Sequence, residues 1–244
     1  MRALGLFASF VLATLPAFAT LTSVTTPGGL GETGFYNWSQ LGVDQSVVSN
    51  NFTASASLGP TVTGSFATSP NDGLVAVVCP PVSGSCSWTP SGTGFSANDS
   101  LLWAFDNSGG GSGTGSITLS FGSPVVGAGA WVEADTLGSY TARIEAFNGS
   151  TSLGFFTATS NSSGDPVFLG VLQSPAVFNI TKIVFSLTSC AGCNGGAGDL
   201  GDFAIDSLLI NDTPEPGTVF LLAAGLTGIA WKARKSSVKN RRSS

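Results

Sequence analysis

The chain has no histidine at all. That absence removes Ser-His-Asp and Cys-His catalysis and every histidine-based metal site. Charge is scarce too, at 9% of residues, and it is unevenly placed. Between Thr20 and Asp212 stand thirteen acids against two bases, Arg143 and Lys182, so this stretch carries 2 − 13 = −11. A surface of that sign repels nucleic acid and anionic lipid. Also missing is any sustained 3.6-residue apolar period between the extreme N-terminus and residue 217, which argues against a helical body.

The N-terminus has a different character. Met1-Arg2 is a minimal positive start, Leu4 to Leu15 is almost uninterruptedly apolar, and Ala17 and Ala19 occupy the small-residue positions of an A-x-A cleavage site. Residues 1–19 are therefore expected to be a secretory signal peptide, cut after Ala19. A retained anchor is the alternative, against which the apolar run is short for a span.

Residues 20–212 are read as one domain. Few charges, many Ser, Thr, Gly and Asn, and scattered Val, Ile and Phe describe an exported β-protein. In "SITLSF" Ile117, Leu119 and Phe121 alternate with Ser116, Thr118 and Ser120. In "SYTARIEAF" Tyr140, Ala142, Ile144 and Ala146 share one face, while Thr141, Arg143 and Glu145 take the other. This is the period of half-buried strands, and "NGS" at 148–150 signals a hairpin turn. Two or three strands are expected in 20–70, and others at "GLVAVV", "LLWAF", "VVGAGAWVEA", "PVFLGVL", "ITKIVFSLT" and "DFAIDSLLI". "SGGGSGTG" at 108–115 reads equally as a hairpin loop or a domain boundary. Such spacing predicts an all-β domain, a jelly-roll-like β-sandwich, flanked by the signal peptide and by a single C-terminal hydrophobic helix.

Four cysteines, Cys79, Cys86, Cys190 and Cys193, allow three pairings. Short range favours Cys79–Cys86 and Cys190–Cys193, and export permits disulfides. Clips of such small loops contribute about 2 kcal/mol each. A metal or redox role for "CAGC" fits less well: zinc wants a second pair or histidines, and the glycines around it make a loop rather than a helix start.

The tail carries six of the nine basic residues. Gly217 to Trp231 is uncharged, and as a helix it would reach about 22 Å, short of the hydrocarbon thickness of a bilayer. Lys232, Arg234 and Lys235 can snorkel, and with Lys239, Arg241 and Arg242 they would keep the C-terminus cytoplasmic. The run suits a transient stop. Pro214-Glu215-Pro216, this apolar run and the basic cluster together resemble a PEP-CTERM sorting signal of Gram-negative bacteria, spanning residues 213–242. The resemblance implies an exosortase-type enzyme as partner, with Pro214, Glu215 and Pro216 as recognition residues. It also implies passage through the inner membrane by residues 217–231, and a destination in the cell envelope or the extracellular matrix of exopolysaccharide-making bacteria. The body, from "GAGAWVEADTLGSYTARIEAFNGS" to "DFAIDSLLI", is similar to the β-sandwich domains that such proteins carry.

Which residues carry chemistry is a separate matter. Calcium takes about six to eight oxygens, and "NGGAGDLGDFAID" supplies several. Asp202 and Asp206 would stand about 13 Å apart in one extended strand. The candidate structural-calcium set is therefore Asp199 and Asp202 with Glu133 or Asp135, and solvated loop acids are the alternative reading. Trp38 and Trp88, in "FYNWSQ" and "CSWTP", are candidate platforms for sugar rings or else packing residues, whereas Trp103 and Trp131 fall in apolar strand patterns and read as core. The function expected is that of a non-enzymatic exported protein, structural or binding exopolysaccharide or another glycan. The alternative is a secreted glycan-active hydrolase using paired carboxylates among Glu133, Asp135, Glu145, Asp202 and Asp206.

Overall fold

A computed structural model describes residues 19–66, 72–78, 88, 94–96, 98–106, 115–192, 200 and 202–212. Among them, fifteen strands form two antiparallel sheets of nine and six strands. The six-stranded sheet runs β11 (Thr151–Thr159), β10 (Tyr140–Asn148), β13 (Ile180–Cys190), β8 (Ile117–Val125), β5 (Thr61–Phe66), β4 (Phe52–Ser55). The larger runs β1 (Thr20–Val24), β12 (Val167–Ser174), β9 (Gly127–Ala134), β14 (Phe203–Ile205), β7 (Ser100–Asp106), β6 (Asp72–Val78), β3 (Ser46–Val48). Beside β9, and beyond the end of β14, lie β15 (Leu208–Asn211) and its partner β2 (Gly34–Tyr36). One short helix, α1 (Pro27–Leu30), starts on a proline and stops at Gly31 in the left-handed region.

The period-two stretches do what their sequences dictate. Ile117, Leu119 and Phe121, and then Tyr140, Ala142, Ile144 and Ala146, are buried. They meet Ala128, Ala130, Val132 and Ala134 of β9 across a shared core. Tyr140 also ties the sheets by a polar bond, its hydroxyl donating to the Val132 carbonyl at 2.6 Å. The "NGS" turn is a hairpin: Asn148 pairs with Thr151, and Gly149 has φ +59°. The segment 20–66 holds five strands, more than its polar composition suggested. Apart from Gly115, "SGGGSGTG" lies outside the described residues. The strands on either side of it, β7 and β8, belong to different sheets, and both feed the same core.

The final strand is broken by a step. Ile205 pairs with Val132 and Leu209 with Gly129, so the chain advances four residues while β9 advances three. The extra residue, at Asp206–Ser207, acts as a β-bulge. It reverses which parity faces inward: Phe203 and Ile205 before it, Leu208 and Ile210 after it, all belong to the core. At the step the Asp206 N–H donates to the Trp131 carbonyl at 3.1 Å, and the Asp206 carbonyl accepts from the Trp38 indole at 2.9 Å.

The outer face of the larger sheet is also covered in part. Phe168 lies over a pair of facing glycines, Gly129 and Gly170. A Cβ at Gly129 would sit 2.7 Å from the Gly170 Cα and 2.9 Å from the tip of the Phe168 ring. Replacing Gly129 by Ala should therefore destabilise the protein by about 1–3 kcal/mol, as overpacking does. Gly28→Ala, where nothing lies within 4 Å, should stay within about 0.5 kcal/mol of wild type. Urea midpoints measure both, and equal values for the two variants would defeat the close-approach account.

Candidate functional site

Three neighbouring strands assemble an acidic, aromatic region on that outer face. Glu133 of β9, Ala204 of β14 and Trp103 of β7 stand side by side in register. Alternation then puts Trp131 below Glu133 on the same face. Just past the strand ends, the Asp135 N–H donates to the Asp202 carbonyl at 3.1 Å. The Trp103 indole donates to Asp202 Oδ1 at 2.7 Å. Rings enclose this region edge to face: Trp88 meets Trp103 with centroids 6.0 Å apart and Phe95 at 5.8 Å, and Trp131 meets Phe168 at 5.6 Å. Trp103 and Trp131 are half-buried; Glu133 is buried at 3% exposure.

This environment holds protons unusually well. Burial raises Asp135 to about 7, helped by the charges of Asp202 and then Glu133. Asp206, at the bulge, also rises to about 7, first through burial; hydrogen bonds from Ser207 oppose the rise and the charge of Asp99 adds to it. Its Oδ1 is buried without a hydrogen-bond partner. Near neutrality Asp135 thus titrates beside two other carboxyl groups, so the cluster can both donate a proton and accept hydrogen bonds.

The structure brings Glu133 and Asp135, at the end of β9, together with Asp202, at the start of β14. Among the described residues, no group of three or more Asp, Glu, Cys or His is placed to hold a metal ion. Glu133 sits buried among the strands, and Asp202 is engaged by an indole N–H. Asp199 lies outside the described residues. Glu145 is on the six-stranded sheet, paired with Arg143 at 2.7 Å and accepting from Ser152 Oγ at 2.6 Å. Asp206 is separated from Asp202 by the length of β14.

The two tryptophans proposed as sugar platforms need correcting. Trp38 has no exposed surface: it stacks on Tyr36 at 6.5 Å, and its N–H is taken by Asp206. Trp88 is 6% exposed, packed against Phe95 and Trp103. The half-exposed indoles are instead Trp103 and Trp131, which lie outside the main core. A signal for them was present. In "LLWAF" both parities are apolar, which marks a strand covered on two faces. Cys190 is disulfide-bonded, with Thr136 Oγ1 at 3.2 Å from its sulfur. Its partner, Cys79, Cys86 or Cys193, lies outside the described residues, as do the signal peptide through Phe18, Pro214-Glu215-Pro216, residues 217–231 and the basic cluster.

A raised carboxyl pKa fixes the sign of a pH effect. The folded state of Asp135 and Asp206 binds protons more tightly than the unfolded state, so their contribution is full below about pH 4 and is lost as pH rises through about 7. Thermal midpoints should fall between pH 4 and pH 8. Asp135→Asn should flatten that fall and raise the midpoint at pH 8. An unchanged slope in the variant would show that Asp135 does not titrate in this range.

Residues 212–235 match the PEP-CTERM protein-sorting motif. No curated protein matches the chain. Among solved structures, a DUF4465 family protein from Bacteroides caccae ATCC 43185 aligns at a TM-score of 0.39 and 9% identity, over 83% of this chain and 97% of that one. Among the described residues no helix is long and apolar enough to cross a membrane. By its C-terminal motif, this all-β chain is an exported protein with the sorting tail of an exosortase substrate.

Proposed function

We propose that the protein works in the cell envelope or extracellular matrix as a non-enzymatic glycan-binding module, with its binding face at Trp103, Trp131, Asp135 and Asp202. The observation that carries this reading is the Trp103 indole held on Asp202, with Asp135 hydrogen-bonded alongside. An indole of fixed orientation offers a flat apolar surface to the C–H face of a sugar ring, and adjacent carboxyl groups meet its hydroxyls. The net negative body favours an uncharged or cation-bridged glycan over a polyanion. A jelly-roll-like connectivity belongs to the same reading. It is supported by the way the chain crosses between sheets at β7–β8, β8–β9, β9–β10 and β11–β12. In the tail, Pro214-Glu215-Pro216 is what an exosortase reads, and residues 217–231 hold the chain in the inner membrane, C-terminus inward, until it is processed.

The raised pKa of Asp135 favours a second reading, glycoside hydrolysis. A carboxyl group titrating near 7 beside Glu133 and Asp202 has the properties of a general acid next to an ionised partner.

A glycan array of the mature protein, followed by affinity electrophoresis, tests the first reading. Asp202→Asn should weaken binding at least about tenfold, the effect of losing about 1.5 kcal/mol from a charged hydrogen bond. A blank array would refute it. Reducing-sugar release across polysaccharides tests the second, which requires release that is lost in Asp135→Asn and is sunk by no release at all. For the tail, Glu215→Ala should leave export intact while a larger, membrane-retained form accumulates in a host with the processing enzyme. Equal fractionation of wild type and variant would show that the motif is only a spacer.

A further inference from the structure

The strand registers bring many strand ends to one end of the two sheets. Asn211 lies opposite Gly127, Val125 opposite Ile180, and Thr20 opposite Ser174. Asp212, where the described chain leaves toward the sorting motif, is fixed there. Its N–H donates to Thr33 Oγ1 at 2.9 Å, the Thr33 hydroxyl bonds its carboxylate, and Asn211 Nδ2 donates to the Leu30 carbonyl at 3.0 Å. Beside Asp212 a groove of about 500 Å³ is lined by Gly59, Pro60, Ser123, Pro124 and Phe178.

This end is where exposed apolar side chains concentrate. Of the eight large hydrophobic residues exposed among the described residues, four stand on or beside it: Phe35 at 44%, Leu58 at 67%, Val177 at 38% and Phe178 at 39%. The others are Val43 and Val47 before and on β3, Phe155 on the edge strand β11, and Leu137 at the opposite end. Among the described residues no basic side chain lines the groove, and Asp212 is its one charge.

We propose that this end is a lipid-contacting surface, in which Phe178, Val177, Leu58 and Phe35 rest in the interfacial layer of a bilayer while the tail is uncut. The inference rests on the reading that residues 217–231 hold the chain in a membrane. Four residues, Thr213 to Pro216, separate Asp212 from Gly217. Even fully extended they let Asp212 stand no more than about 18 Å from the start of the apolar run. That short tether keeps the apolar end at the lipid surface at a high effective concentration, so a patch too small to bind alone is sufficient. The contact is apolar burial, because the groove's single charge repels anionic headgroups. It also orients the domain. β9 runs from Gly127 at the lipid end to Ala134, about 23 Å away, so Asp135 and Asp202 face away from the membrane.

The test uses the chain from Thr20 to Ser244 in phosphatidylcholine vesicles. Photoreactive benzoylphenylalanine replaces Phe178 in one variant and Leu137 in another. Flotation reports anchoring, and mass spectrometry after irradiation reports lipid adducts. Floating protein should give several-fold more lipid adduct from position 178 than from 137. Floating protein with equal or no adducts, or with a crosslink from 178 to a second copy of the chain, overturns the lipid surface and leaves anchoring intact. Protein that does not float refutes the anchoring reading, and the surface falls with it.

Discussion

The one-residue step at Asp206–Ser207 sets the geometry of the larger sheet. Before it, the chain fills the gap between β9 and β7; after it, the chain lies between β9 and β2. No uninterrupted strand could keep Phe203, Ile205, Leu208 and Ile210 all in the core, because strict alternation would turn the last two outward. The turned-out carbonyl of Asp206 has a second use, satisfying the buried Trp38 indole. The bulge thus closes the sheet, anchors the aromatic end of the core and leaves a carboxyl group half-satisfied in a dry place.

From that placement follows the region around Trp103. β14 is only three residues long, yet it brings Asp202 level with Asp135 and aligns Ala204 between Glu133 and Trp103. Ala204 is small and fully buried, in a cluster with Trp88, Phe95 and Leu101 against which Trp103 and Trp131 pack. The raised proton affinity of Asp135 is a direct result: burial costs its charged form more than its neutral form, and the charges of Asp202 and Glu133 add to that cost.

Much of the fold could be read in the sequence, and the reasons are local. β8 and β10 alternate cleanly because each has one dry and one wet face, and the "NGS" turn needs only neighbouring residues. What could not be read depends on partners far along the chain. β1 pairs with β12 across 150 residues, and nothing in "TLTSV" names that partner. The proximity of Glu133, Asp135 and Asp202 depends on the register of β9 with β14, which no single-strand pattern encodes. Trp38 misled because Asn37 and Ser39 give it a loop's composition. Yet Tyr36 and Trp38 are two apart, and both point inward.

The position of the last strand has a consequence for biogenesis. β14 and β15 are inserted into the interior of the larger sheet, with β9 on one side and β7 or β2 on the other. They are also the last strands of the described sequence, so a chain delivered from its N-terminus would present them last. Until they emerge, β7 and β9 each lack a neighbour, and the sheet stays open along its middle. In such a chain the body would complete its hydrogen bonding only as the sorting motif, residues 212–235, follows. Delivery of the chain and closure of the sheet would then end together.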